Sequence, residues 1–219
     1  MTIEINGVIV SNDDVELYDW FGWECCSPGK VKGLLEAAGG QPITININSC
    51  GGSVFAGIEI YEALRAYKGE VSIYVTGQAA SAASIIAMAG HCEMSPAALL
   101  MVHRASASSR GNRNDMAKMA EDLDVIDNAL ASAYIAKSGM SRTDVIEMMD
   151  HETWLTADRA VELKLVDGIS ASRNTFTQLA ACGTPMLSEQ ALQNARHQLS
   201  NQRKQAMQAR LDYLKLKGV

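Results

Sequence analysis

The chain has 219 residues, 47% hydrophobic and 20% charged, enough for one full core with length left for an extension. No apolar run reaches the length of a membrane span. The start, Met1-Thr2-Ile3-Glu4-Ile5, has neither the basic residues nor the apolar stretch of a signal peptide, so a cytoplasmic protein is expected. A net charge of −6 argues against general nucleic-acid affinity.

In chain order, Ile3 to Gly7 reads as the first strand of a core. The five cysteines are odd in number, and Cys25 and Cys26 are adjacent, which suits neither a zinc knuckle nor a disulfide framework. Reduced structural thiols are expected. Ile43 to Ile47 and Val71 to Val75 alternate apolar and polar residues, as strands do. Between them Ile58, Tyr61 and Leu64 share a helical face that Gly69 closes, so the segment predicts a parallel crossover. Gly77 leads into Ala82 to Ala89, a helix apolar on nearly every side and hence buried. Gly90 stops it, and Leu99 to Val102 forms the next strand. Met116, Met119, Leu123, Ile126, Leu130 and Tyr134 keep helical spacing up to Gly139. Ser141 to Asp144 resembles a capping box, Thr156 caps another helix, and Leu165 to Ile169 returns as a strand. Ser188 opens a final helix carrying Leu192, Leu199, Leu211 and Leu214. From Met186 to Val219 six Lys or Arg face two acids, a net of +4, so the remainder carries −10. That break divides the chain into an α/β domain over 1–172, a linker over 173–187 and a basic helical tail over 188–219.

Three segments carry chemistry. Asn48-Ser49-Cys50-Gly51-Gly52-Ser53 joins a strand to a helix, and its glycines let backbone N–H groups approach a ligand. Alone it is a tight turn, and no Lys-Ser/Thr follows to make it a phosphate loop. Gly77-Gln78-Ala79-Ala80-Ser81-Ala82-Ala83 puts a serine at the mouth of a buried helix, where developing negative charge is favoured. Alone, Ser81 is an N-cap. Of the four histidines, His103 ends an apolar strand, where its side chain can leave the core for a cleft. A further stretch, His151-Glu152-Thr153-Trp154-Leu155-Thr156-Ala157, sets a carboxylate before an apolar pair.

Taken in this order from about Ile43 to Ile169, these segments resemble the proteolytic subunit of the Clp protease. The resemblance implies the α/β fold common to Clp proteases and crotonases, of repeated β-β-α units with a helical handle, here with a C-terminal helical extension. It implies Ser81 as nucleophile, His103 as base, and the backbone N–H groups of Gly52 and Ala82 as the oxyanion hole. The third triad position, an aspartate in the family, holds Glu152, with Asp150 as the alternative. Cys50 stands where the family usually has proline. No metal or organic cofactor is implied. Partners implied are polypeptide substrates and a homo-oligomeric ring with its sites facing an internal space, with no nucleic acid or membrane. Ala105 to Asn112 fits the handle region, or else a plain surface loop.

The sequence opens almost at once on the expected first core strand, Ile3 to Gly7, where the family carries an N-terminal axial segment, so an ATPase partner is not the expectation. A short start, a glutamate in the triad and a helical extension resemble the Clp-like proteases of phages and prophages, which trim capsid and scaffold proteins in a bacterial host. Capsid or scaffold maturation is therefore expected, with self-cleavage placed between Ala171 and Pro185. The alternatives are a housekeeping Clp subunit working with an ATPase, a crotonase-like acyl-CoA enzyme, or an inactive assembly protein.

Overall fold

The computed structural model describes residues 1–170 and 188–216, so the expected linker and self-cleavage zone lie outside the described residues. Three long parallel strands, β1 (Thr2–Ile9), β3 (Ile43–Gly52) and β4 (Val71–Ala80), build the centre of the sheet. Their apolar residues fall in register. Ile3, Ile45 and Ile73 form one row and Ile5, Ile47 and Val75 the next, all within 1% of full burial. Along β3 every second residue is buried, the period-2 pattern visible in its sequence. The crossovers are helical: α1 (Val15–Phe21) and α2 (Pro28–Ala38) follow β1, and α3 (Val54–Ala66) joins β3 to β4. The tiny strand β2 (Cys25–Cys26) pairs outside β1.

Strand β4 then changes neighbours. Its first half, Ser72 to Val75, pairs with β5 (His91–Met94), and its second half, Gln78 to Ala80, pairs with β6 (Leu99–Val102). The break falls at Thr76-Gly77, where a Cβ on Gly77 would lie 2.4 Å from Asn48 Oδ1. Helix α4 (Ala82–Ala87) joins β4 to β5 and is buried at every position, as its composition requires. The last strands are β7 (Thr153–Thr156), antiparallel to β6, and β8 (Gly168–Ile169), beside β5. A mostly parallel sheet with α crossovers is the α/β architecture that the sequence implies.

The long helix α5 (Arg113–Ser138) is capped by Asn112 and Asp115 in a reciprocal box. Its expected apolar stripe divides: Leu130 and Tyr134 are buried in the core, while Met116 is exposed. The first half therefore stands clear of the domain like a handle. Ser141 caps α6 (Arg142–Asp150) and Thr156 caps α7 (Ala157–Glu162). The strand expected over Leu165 to Ile169 is only Gly168–Ile169. Leu165 N–H returns to Ala160 O and Lys164 adopts φ 57°, so the preceding residues close α7 instead. Helix α8 (Glu189–Leu216) packs beside α1, with Leu192 against Val8, Val10 and Tyr18 and Arg196 ion-paired to Asp14. Cys25, Cys26 and Cys92 are free thiols, whereas Cys50 is disulfide-bonded, against the expectation of reduced cysteines throughout. Among the described residues, no helix is long and apolar enough to cross a membrane.

Candidate active site

Strand β4 ends at Ala80 and α4 begins at Ala82, so the chain must turn within Ser81. The serine takes φ 55° and ψ −126°, a left-handed conformation that a non-glycine residue keeps only where its surroundings hold it. Here its N–H donates to Met101 O at 3.0 Å, and its carbonyl accepts from Ser84 N–H at 2.9 Å and Ser84 Oγ at 2.6 Å. Small neighbours leave room for the turn. A Cβ on Gly51 would lie 2.6 Å from Ala80 O and 2.7 Å from Ser81 Cβ.

The pairing of β6 with β4 brings in the histidine. Ala80 pairs with Met101, so Ser81 stands opposite Val102 and His103 follows one residue on. Both side chains thus emerge at the carboxyl ends of adjacent parallel strands, the usual place for a site in an open α/β sheet. His103 Nε2 lies 2.7 Å from Ser81 Oγ. A hydroxyl in hydrogen-bond contact with an imidazole is an alcohol ready to be deprotonated as it attacks.

Gly52, Ser81, Ala82 and His103 line one cleft of about 50 Å³, bounded on its apolar side by Val54, Ile85 and Leu130. Ala82 is the first residue of α4, so its N–H has no partner within the helix. Gly52 has φ 146°, and a Cβ there would lie 2.1 Å from Ile9 O, so only glycine fits this close against β1. The two expected oxyanion donors and the Ser–His pair therefore share a single wall of backbone and side chain.

The acidic candidates fare differently. Val102 pairs with Thr153 across the antiparallel β6–β7 ladder, and one step further along it His103 comes opposite Glu152. Among the described residues, the Glu152 side chain makes no hydrogen bond, and none reaches His103 Nδ1. Asp150 is engaged elsewhere. Its carboxylate binds Arg104 Nε, and that hydrogen bond holds it below its ordinary 3.8.

Arg104 is missed when the sequence alone is read. From the residue after the histidine, its guanidinium reaches Asp124 and Asp127 on α5, each at 3.0 Å, besides Asp150. Asp127 is buried and also accepts from Ala105 N–H at 2.7 Å. This network fastens the His103 end of β6 to the handle helix. Ser84 and Tyr134, in contact at 2.7 Å, are also missed. The other histidines lie away from Ser81: His91 faces Glu93 and Asp167, and His151 Nδ1 meets Glu147 O. Among the described residues, the free thiols offer no rival nucleophile near neutral pH, since burial pushes Cys26 and Cys92 up to about 12 and raises Cys25 as well.

The pattern characteristic of the Clp protease family matches residues 33–173, which include every one of these site residues. The chain is also 33% identical, over 140 residues, to the ATP-dependent Clp protease proteolytic subunit 1 of Chlamydia abortus. That match covers 62% of this chain and 73% of the relative.

Proposed function

The chain belongs to the Clp protease family, and on that footing we propose that it is a serine endopeptidase with Ser81 as nucleophile and His103 as general base. The 2.7 Å contact between Ser81 Oγ and His103 Nε2 carries this assignment. As Ser81 attacks a peptide carbonyl, His103 takes the hydroxyl proton and later gives it to the leaving amine. The N–H groups of Gly52 and Ala82 receive the charge that develops on the carbonyl oxygen. Water then releases the acyl-enzyme by the same route. Glu152, whose carboxylate is not engaged by another described residue, is the third member, orienting the His103 ring once it turns to Nδ1. Its ladder position opposite His103 favours it, as does the engagement of Asp150 with Arg104. Cleavage of an unfolded protein such as casein tests the activity. Wild type is expected to degrade it and Ser81→Ala to leave it intact. A Ser81→Ala protein that digests casein at the original rate sinks the assignment.

The finer role is processing of capsid or scaffold proteins during phage assembly, carried out by a homo-oligomeric ring. The basic helix α8, attached to the domain through Leu192 and Arg196, supports it as an arm that a housekeeping subunit has no need of. Membership of the Clp protease family supports the ring. Deleting the chain after Pro185 tests the arm: binding of head proteins is expected to be lost, and unchanged binding removes that role. A crotonase-like acyl-CoA enzyme has no use for Ser81 as a nucleophile, so modification of Ser81 or His103 by a peptide chloromethyl ketone distinguishes the two.

A further inference from the structure

The Ala82 N–H belongs to the same rigid peptide unit as the Ser81 carbonyl. Whatever holds that carbonyl therefore aims the N–H. The carbonyl accepts two hydrogen bonds from Ser84, one from its N–H at 2.9 Å and one from its Oγ at 2.6 Å. The backbone bond is what a helix's first turn supplies anyway. The side-chain bond is an addition, and it continues into the protein. Ser84 is completely buried, and its Oγ lies 2.7 Å from the hydroxyl of Tyr134, a residue 2% exposed that arrives 50 positions later on α5. A serine hydroxyl has one proton. Ser84 commits that proton to the Ser81 carbonyl, so the Tyr134 O–H must donate into Ser84 Oγ. Burial raises the phenol above its ordinary value and keeps it protonated, as a donor must be.

We propose that Tyr134 and Ser84 are positioning residues for the oxyanion hole, a hydrogen-bond relay from Tyr134 O–H through Ser84 O–H to the Ser81 carbonyl that fixes the tilt of the Ser81–Ala82 peptide. This proposal rests on the peptidase reading of the same site. Two physical consequences follow from the relay. It holds Ser81 in a backbone conformation that nothing intrinsic favours. It also polarises the peptide, because a carbonyl that accepts a strong hydrogen bond makes the N–H of its own amide a better donor. Both strengthen the hydrogen bond to the substrate oxygen most when that oxygen carries charge, so the relay contributes to turnover far more than to substrate binding.

The test is steady-state cleavage of a fluorogenic peptide amide by Tyr134→Phe, Ser84→Ala and the double variant, with thermal melts to confirm folding. Removing the Ser84 hydroxyl is expected to lower kcat about tenfold, and removing only the Tyr134 hydroxyl about threefold, with KM unchanged. The double variant is expected to match Ser84→Ala alone, since Tyr134 acts through Ser84. Affinity for a peptide boronate, whose tetrahedral adduct fills the oxyanion hole, is expected to fall in step with kcat. A purely structural pair would leave kcat intact or let the two losses multiply, and either result overturns the proposal. So does a loss confined to KM. If wild type neither cleaves peptide nor takes a fluorophosphonate on Ser81, the peptidase reading fails and the relay with it. An active wild type with unaffected variants sinks the relay alone.

Discussion

Substituting Gly51 by alanine probes the fit between the glycine turn and the nucleophile. At φ 90° the residue has a backbone conformation that L side chains rarely adopt, and the added methyl would lie 2.6 Å from Ala80 O, 2.7 Å from Ser81 Cβ and 2.8 Å from Ala82 N. The backbone term alone costs about 1–2 kcal/mol. Relieving contacts this short in a packed turn adds about 1–3 kcal/mol. Together these take a substantial part of a net domain stability of about 5–15 kcal/mol, so the protein folds but melts on the order of 10 °C lower. The atoms that must move are those of Ser81 and the Ala82 N–H, and a shift of about 1 Å in reacting groups lowers turnover on the order of a hundredfold. Gly39→Ala supplies the control. That glycine also has positive φ, at 57°, but a Cβ there meets nothing within 4 Å, so it incurs strain without displacing the site. Peptide hydrolysis and thermal melts on both variants separate the two effects. If Gly51→Ala keeps kcat/KM within about threefold of Gly39→Ala, the turn does not support the nucleophile as described.

Three further outcomes are expected. Glu152→Gln should lower kcat by at least about a hundredfold, because the His103 ring loses its orienting charge, while Asp150→Asn should keep most activity. The reverse order in a peptide assay would return the third position to Asp150. Asp127→Ala should destabilise the domain by about 2 kcal/mol in urea titrations, since it orphans the Ala105 N–H and removes one carboxylate from Arg104; a shift below about 0.5 kcal/mol would mean that the other carboxylates take over. Asp167 is shifted upward by burial, but the Cys92 N–H and Lys137 outweigh this and hold it below 3.8. Its stabilising effect is therefore present above that value and lost as pH falls through the depressed one. The melting difference between wild type and Asp167→Asn should shrink below about pH 3.8, and a difference constant through that range would contradict it.

How much of this is legible in the sequence depends on how local each signal is. The long strands show because alternation along Ile43 to Ile47 and Val71 to Val75 is a property of consecutive residues. Helix α4 shows because no polar face interrupts it. Helix α2 also carries a local signal, with Ser27 as its cap and Pro28 in its first turn. Strand β5 has no such signal. His91-Cys92-Glu93-Met94 becomes a strand only through pairing with Ser72 to Val75, some 20 residues earlier. The same distinction runs through the site. Ser81, His103 and the glycine pair sit in short motifs whose order can be read. The Arg104 network and the Ser84–Tyr134 contact join residues 20 to 50 positions apart, of types common in any surface or core. Only the packing of α5 against α6 and α4 brings them together. Between Glu152 and Asp150, spacing alone does not decide; the β6–β7 register and the Arg104 pairing are long-range features that favour the proposal of Glu152.

Whether Ser81 is the nucleophile can be read out covalently. A fluorophosphonate probe reacts with a serine whose hydroxyl is activated by a base, and peptide mapping of the labelled protein identifies that residue. One adduct is predicted, on Ser81, absent from Ser81→Ala and formed far more slowly in His103→Gln. An adduct on another residue, or a His103→Gln protein labelled as fast as wild type, would contradict the assignment of Ser81 and His103 as nucleophile and base.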